Sequence, residues 1–290
     1  MSEIKINEFE TGRDHPGADV PAGQDGLAGQ DRPEESGKPE AKEAPKAVYR
    51  IERYITDTDA DLARRQKLSS MFCMFQDISA LHAANLGASV AWLKDVHNVA
   101  WILMRVRLEI DKYPVLAQDV YVESWPQETR ALYERDNVIR CRESGETLVR
   151  AASTWIIMNL DTREIKRDQF FTYQGVEIKK ERAIDGGVRR LKPSPGAELI
   201  YEKEIKFSDV DYNGHVNNAK YVDYIMDSFS FAEHRAREVK AIEMHYINEI
   251  GPGDVLQIRR KEVGDGVYYL DGVRAADGAQ VINSLVEWGK

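Results

Sequence analysis

The sequence predicts an α+β protein made of two tandem copies of one module, each a long helix set against a mostly antiparallel sheet. Two observations carry this. The order strand, helix, four strands occurs twice, as judged from where apolar residues alternate and where they recur at three- and four-residue steps. Local sequence echoes between the copies: a turn rich in Pro, Gly or Asp leads into Asp-Val at Tyr113 to Val120 and again at Gly251 to Val255, and both copies close on a strand holding a tryptophan, Trp155 and Trp288. The repeating unit, at about 100 residues, is too long for a solenoid.

Residues 1–46 hold five of the ten prolines, six of the twenty glycines, one aromatic (Phe9) and a net charge of −5. Such a stretch cannot bury enough apolar surface to offset its ordering entropy, so a disordered tail is expected. Its Gly23, Gly26 and Gly29 follow no strand and lack dinucleotide-loop spacing. The first module is expected over 47–165. It starts with an alternating strand, Val48 to Ile55, followed by a helix carrying Leu68, Met71, Phe72, Phe75, Ile78, Leu81 and Leu86 on one stripe, with Gly87 as its C-terminal stop. Strands follow at 100–110, 120–125, 132–141 and 148–159, separated by turn residues. Residues 166–197 are charged, without sustained periodicity, and are expected to be a linker. The second module, 198–290, repeats the order: a strand at Leu199 to Phe207, helical spacing from Val216 to Phe229, then strands at 241–247, 255–260, 267–273 and 281–288.

Composition excludes several classes. With 40 Lys plus Arg against 49 Asp plus Glu, the net charge of −9 offers no basic field for nucleic acid. The longest uninterrupted apolar run, Val99 to Met104, is far short of the ~20 residues of a spanning helix or the ~7–15 of a signal-peptide core. Neither membrane insertion nor conventional secretion is expected, and a cytoplasmic location fits. Cys73 and Cys141 are too few for a disulfide framework or a cysteine zinc site, and no His-Glu-x-x-His pair exists, so neither metal nor cofactor is expected.

The most distinctive stretch runs from Phe207 to Tyr221, between the second module's first strand and its helix. Asp211, Asn213 and His215 alternate there and converge on one side if the loop is extended. Gly214 permits a positive φ. With the helix starting near His215 or Val216, first-turn amides would face a developing oxyanion and favour a neutral His215 able to accept a proton. The bland alternative is a common Asp-x-Asn-Gly turn with Asn213 as a plain helix cap.

Asp-x-Asn-Gly-His-Val-Asn-Asn-x-x-Tyr resembles the signature of hotdog thioesterases, and region 47–290 resembles the fatty acyl-carrier-protein thioesterases of bacteria and plant plastids. Trp101 to Arg105, Ile110 to Pro114 and Thr154 to Met158 look like that family's first-module strands. The resemblance implies two hotdog modules and functional roles for Asp211, Asn213 and His215. It adds Glu249 in the strand after the helix, while Ile250 stands at the position of a family cysteine. Isoleucine has no nucleophilic atom, so water is expected to attack, with His215 or Glu249 or both as base, Asn213 orienting and Asp211 holding the loop. Cys73, on the helix stripe, and Cys141, in a strand, are expected to be inert.

The first copy lacks Asp-x-Asn-x-His, and the resemblance implies that it encloses the acyl chain, with Met71, Phe72, Phe75, Trp92, Trp101 and Met104 as candidate lining. An acidic carrier protein is the implied partner. Candidate docking cations are Arg64-Arg65 with Lys67, Lys179-Lys180, Arg189-Arg190 with Lys192, and Arg235 with Arg237. A homodimer is also implied. His245 is expected to serve the sheet. Competing readings are coenzyme A as the thiol, an enoyl-thioester hydratase or dehydratase, and a non-catalytic acyl-thioester-binding module.

Overall fold

Tyr49–Tyr54 (β1) alternates half-buried and exposed residues, as a strand with one face on a core must. The computed structural model describes residues 44–128, 132–166, 176–188 and 190–289; all but the last three residues of the expected tail lie outside these. Leu68–Asn85 (α1) buries Leu68, Met71, Phe72, Met74, Phe75 and Ile78, each contributing about 1.5–3 kcal/mol on full burial. It ends in a Schellman motif: Gly87 takes φ +87°, its N–H donates to Ala84 O, and Ala88 N–H donates to Ala83 O at 2.8 Å. A short helix not foreseen from the sequence follows, Val90–His97 (α2), capped by the Ser89 hydroxyl and closed by Asn98 at φ 53°. Val99–Ile110 (β2), Asp119–Pro126 (β3), Tyr133–Cys141 (β4) and Thr147–Asn159 (β5) lie where alternation placed them, and a two-residue strand, Ile165–Lys166 (β6), folds back on β5.

The second copy runs Glu198–Glu204 (β7), Asn218–Met226 (α3), Phe231–Ala236 (α4), Val239–Tyr246 (β8), Val255–Gly264 (β9), Val267–Arg274 (β10) and Gln280–Trp288 (β11). The single helix expected over 216–229 is thus shorter and broken. Asn217 caps α3, and Ser230 with Glu233 forms a capping box that restarts the chain as α4.

The two sheets fuse into one, in the order β1-β3-β4-β5-β2-β8-β11-β10-β9-β7, with the same strand order read inward from both ends. The seam is the antiparallel pair β2–β8, with Arg105 opposite His245 and Arg107 opposite Glu243. Val106, Leu108, Ile242 and Met244 point from the seam into the main core beneath α1 and α3, which pack on each other. His245 is on the opposite face, where its Nε2 lies 2.8 Å from buried Glu243.

The expected linker is not loose over 176–188. Ala183 and Ile184 are buried, and Glu181 O accepts from Trp125 Nε1 at 2.8 Å. Arg182 pairs with Glu134 at 2.6 Å and with Asp136 at 2.9 Å.

Candidate active site

The loop into α3 is a closed turn built by its own sequence. Asp211 N–H donates to His215 O at 2.9 Å and Gly214 N–H donates to Asp211 O at 3.0 Å, with Gly214 at φ +81°. Asp211 Oδ1 accepts from Asn213 N–H at 2.8 Å, so the carboxylate organises the loop. Val216 N–H then donates to Ile250 O at 3.1 Å. That bond docks the loop on the segment after β8 and brings its carboxylate alongside: Glu249 Oε2 stands 3.5 Å from His215 Nε2, both side chains about two-fifths exposed.

Two further groups fix Glu249. Arg163, in the β5–β6 turn of the first half, donates from Nη2 to Glu249 Oε2 at 2.5 Å, and Arg274 Nη2 donates to Glu249 O at 2.8 Å. Among the described residues no hydrogen bond forms to the Asn213 carboxamide or to His215 Nδ1, which leaves the amide's donors and acceptor and one ring nitrogen for a ligand.

The helix begins later than expected. Its first turn starts at Asn218, and Asn217 occupies the donors beside it: Ala219 N–H bonds Asn217 Oδ1 at 2.9 Å and Lys220 N–H bonds Asn217 O at 2.9 Å. Those two amides are therefore taken, and His215 lies two residues before the cap, outside the helix start to which the sequence assigned it.

Asp211, Tyr212, Asn213, Asn217 and Asn218 form one end of a groove of about 320 Å³ whose other walls come from the first half. Cys73, Gln76, Asp77, Ala80 and Ala83 share one stripe of α1, and they face Trp101 and Leu103 of β2, Tyr133 of β4 and Trp155 of β5. Asn218 Nδ2 donates to Gln76 Oε1 at 3.3 Å and ties the two halves at the groove. His215 and Glu249 stand beside this groove and are not among its lining residues.

Of the six candidate lining residues only Trp101 lines the groove. Met71, Phe72 and Phe75 are fully packed in the core, because the stripe of α1 they occupy faces the sheet and α3. Trp92 sits on α2, more than a third exposed and edge-on to His97. Met104 is the extra residue at a bulge in β2, between the pairs Leu103–Trp155 and Arg105–Thr154. The groove exists because Ala80 and Ala83 are small, a property that hydrophobic spacing does not report.

Ile250 is 1% exposed and part of the core. Cys73, expected on the buried stripe, is exposed to the groove; partial removal from water, with Asp77 and Asp223 nearby, pushes its thiol up, away from the nucleophilic thiolate. Cys141 is half-buried in β4.

The first copy keeps this loop's frame without its chemistry. At positions lower by 150, Asp61 N–H donates to Arg65 O at 2.8 Å, Arg64 N–H to Asp61 O at 2.9 Å and Ala63 N–H to Asp61 Oδ1 at 2.8 Å. Gln66 N–H donates to Pro114 O at 2.8 Å, as Val216 does to Ile250. Ala63 and Arg65 thus stand where Asn213 and His215 stand, and Tyr113, under the Arg65 guanidinium at 5.1 Å, takes the place of Glu249.

Four of the ten candidate docking cations are engaged, Lys67 through Thr58 O at 3.1 Å. Arg65 pairs with Asp61 and Glu238, and Lys179 pairs with Glu181 above the Trp125 ring. Arg237 bonds the Tyr268 hydroxyl at 3.5 Å. Arg189 lies outside the described residues. No group of three or more His, Cys, Asp or Glu among the described residues could hold a metal, and no helix there is long and apolar enough to cross a membrane.

The palmitoyl-acyl carrier protein thioesterase of Arabidopsis thaliana chloroplasts is 28% identical over 207 residues, which are 66% of this chain and 50% of that protein. A chloroplastic oleoyl-acyl carrier protein thioesterase of the same plant is 23% identical over 225 residues, 72% of this chain and 61% of its own. The chain thus spans about half the length of the first of these relatives. Among solved structures, an acyl-ACP thioesterase from Bacteroides thetaiotaomicron superposes with a TM-score of 0.76 at 22% identity, over 84% of this chain and 98% of that one. The 12:0-ACP thioesterase from Umbellularia californica gives 0.75 at 21%, over 84% and 97%. At these identities the structures show a shared fold, the duplicated hotdog. Residues 46–169 match the model of the acyl-ACP thioesterase N-terminal domain and residues 194–290 that of the C-terminal domain, and this chain belongs to the acyl-ACP thioesterase family.

Proposed function

We propose that this protein hydrolyses the thioester linking a fatty acyl chain to acyl carrier protein, releasing a free fatty acid. The observation that carries the reading is the meeting of His215 with Glu249 in the loop that carries Asn213, beside a groove that Asn213 shares with walls from the other half of the molecule. Family membership and the names of the relatives support carrier protein rather than coenzyme A as the thiol.

In this reading the first half, 47–165, holds the acyl chain along α1 and the second, 198–290, carries the chemistry. Facing Glu249 at 3.5 Å, His215 Nε2 carries the ring proton in this mechanism, which leaves Nδ1 as the acceptor. Nδ1 takes a proton from water as the water oxygen adds to the thioester carbonyl, a contribution of about 10²- to 10⁴-fold. The Asn213 carboxamide donates to the oxyanion. On collapse the C–S bond breaks and the imidazolium returns its proton to the departing thiolate. Asp211 acts through the loop. Ile250 cannot attack, and the raised thiol of Cys73 argues against a covalent route. Two unpaired thiols suit a reducing cytoplasm, and a homodimer is compatible with the exposed edge strands β1 and β7.

The test is thiol release from acyl carrier protein charged with medium or long chains. Turnover should exceed that on the matching coenzyme A esters, and Asn213→Ala, His215→Ala and Glu249→Ala should each lower it at least ~10-fold. Cys73→Ser with Cys141→Ser should keep most of the activity. Equal rates on both thiols remove the carrier-protein claim, and a folded but dead cysteine-free variant removes water attack.

A further inference from the structure

Among the described residues Arg163 is one of four other than glycine at positive φ, at 59°. A left-handed backbone disfavours a side chain with a β-carbon, and such conformations persist where the surroundings impose them. The surroundings are explicit. The Asn159 side chain accepts from Asp161 N–H at 3.0 Å and Thr162 N–H at 2.8 Å, Arg163 N–H donates to Asn159 O at 3.1 Å, and Asn159 N–H donates to Glu164 O at 2.9 Å. This turn joins β5 to β6 at the end of the first half, and it aims the guanidinium across the seam at the second half's carboxylate.

Arg163 Nη2 and His215 Nε2 both face the same oxygen, Glu249 Oε2, at 2.5 and 3.5 Å. The carboxylate is thereby held on the imidazole side, while Arg274 fixes its backbone. With Arg163 about half exposed, the pair adds little to stability, so its consequence is orientation rather than fold strength.

We infer that Arg163 is a positioning residue for the second half's site: its guanidinium keeps the Glu249 carboxylate turned toward His215, so that the first half completes the base of the second. The inference rests on the assignment of Glu249 and His215 as the base pair. The counterpart carboxylate is absent from the first copy, where Tyr113 stands at that place, so only one of the two duplicated loops has a carboxylate to hold.

Glycine accepts a φ of +59° without strain, and this separates orientation from turn-building. Arg163→Gly should unfold at the same temperature or higher than wild type, yet lose about tenfold in kcat on acyl carrier protein, with KM within threefold. Arg163→Lys should recover part of the loss, and Arg163→Asn, which also tolerates the left-handed turn, should repeat the glycine result. In a Glu249→Gln background the glycine change should cost less than twofold. Retention of more than half of kcat by Arg163→Gly, while Glu249→Gln loses tenfold, overturns the inference and leaves the base assignment standing. An effect confined to KM overturns it in favour of a docking cation. A neutral Glu249→Gln instead removes the base assignment, and this inference with it.

Discussion

Ile250 shows how one residue restricts the chemistry at this site. Its side chain fills the core behind the loop, while its backbone carbonyl docks the loop by accepting from Val216, so the position serves structure twice and offers no nucleophile. Two other buried groups contribute to the pH response of stability with opposite sign. His82 is fully buried: its Nδ1 lies 2.9 Å from Arg135 Nη1 and its Nε2 2.8 Å from Lys46 O, and burial beside the guanidinium pushes its pKa down to about 4. Asp136 is fully buried as well, and burial outweighs Arg182 and Gln127 to raise its carboxyl to about 6. The signs oppose. As pH falls from about 6.5 to 4 the unfolded chain protonates this histidine and the folded one resists, which costs stability; over about 6 to 4 the folded carboxyl takes up a proton first, which adds stability. Each contribution is about 3 kcal/mol, so the two largely offset one another over that window. His82→Gln should gain stability on acidification from pH 6.5 to 4, and Asp136→Asn should lose it steeply. Urea midpoints across pH measure both, and parallel profiles for the two variants would contradict this account.

At the scale of elements, the duplicated loop is a matched pair that differs in one backbone requirement. Gly214 and Arg64 hold the same turn position at φ +81° and +63°. Nothing lies within 4 Å of a β-carbon built on Gly214, so only backbone conformation is at issue there. Gly214→Ala should cost about 1 kcal/mol, and Arg64→Gly should gain up to ~1 kcal/mol, both read from thermal or denaturant unfolding. Equal and opposite responses would show that the two loops carry the same strain, whereas a destabilised Arg64→Gly would mean that the Arg64 side chain holds the first loop. The same element explains the late start of α3: the bond from Val216 to Ile250 O keeps the chain extended, and only Asn217 is free to cap.

Across the whole molecule, the seam β2–β8 makes two sheets one and buries Leu108 and Met244 completely. A first half cut free, residues 44–166, would leave β2 as a long unpaired edge, the kind of surface that pairs with another chain. It should sediment as a dimer or a larger species. A monodisperse monomer would show that the seam is dispensable. The seam also sets the groove, since Asp211, Asn213, Asn217 and Asn218 of one half meet walls supplied by the other.

Sequence alone determined the duplication, nearly every strand, α1 with its glycine stop, and the loop residues Asp211, Asn213 and His215, because alternation, helical spacing and turn chemistry are local properties of the chain. Resemblance added Glu249, which lies 34 residues beyond His215 and carries no local sign of its role. Tertiary structure alone decided which stripe of α1 faces the groove, and so exchanged Met71, Phe72 and Phe75 for Cys73, Gln76, Ala80 and Ala83. It also decided that Arg163 reaches Glu249 across 86 positions of sequence. Periodicity says that a residue is buried or exposed; which partner it meets depends on how the helices and sheets pack, and that packing is set by the fused sheet rather than by any one segment.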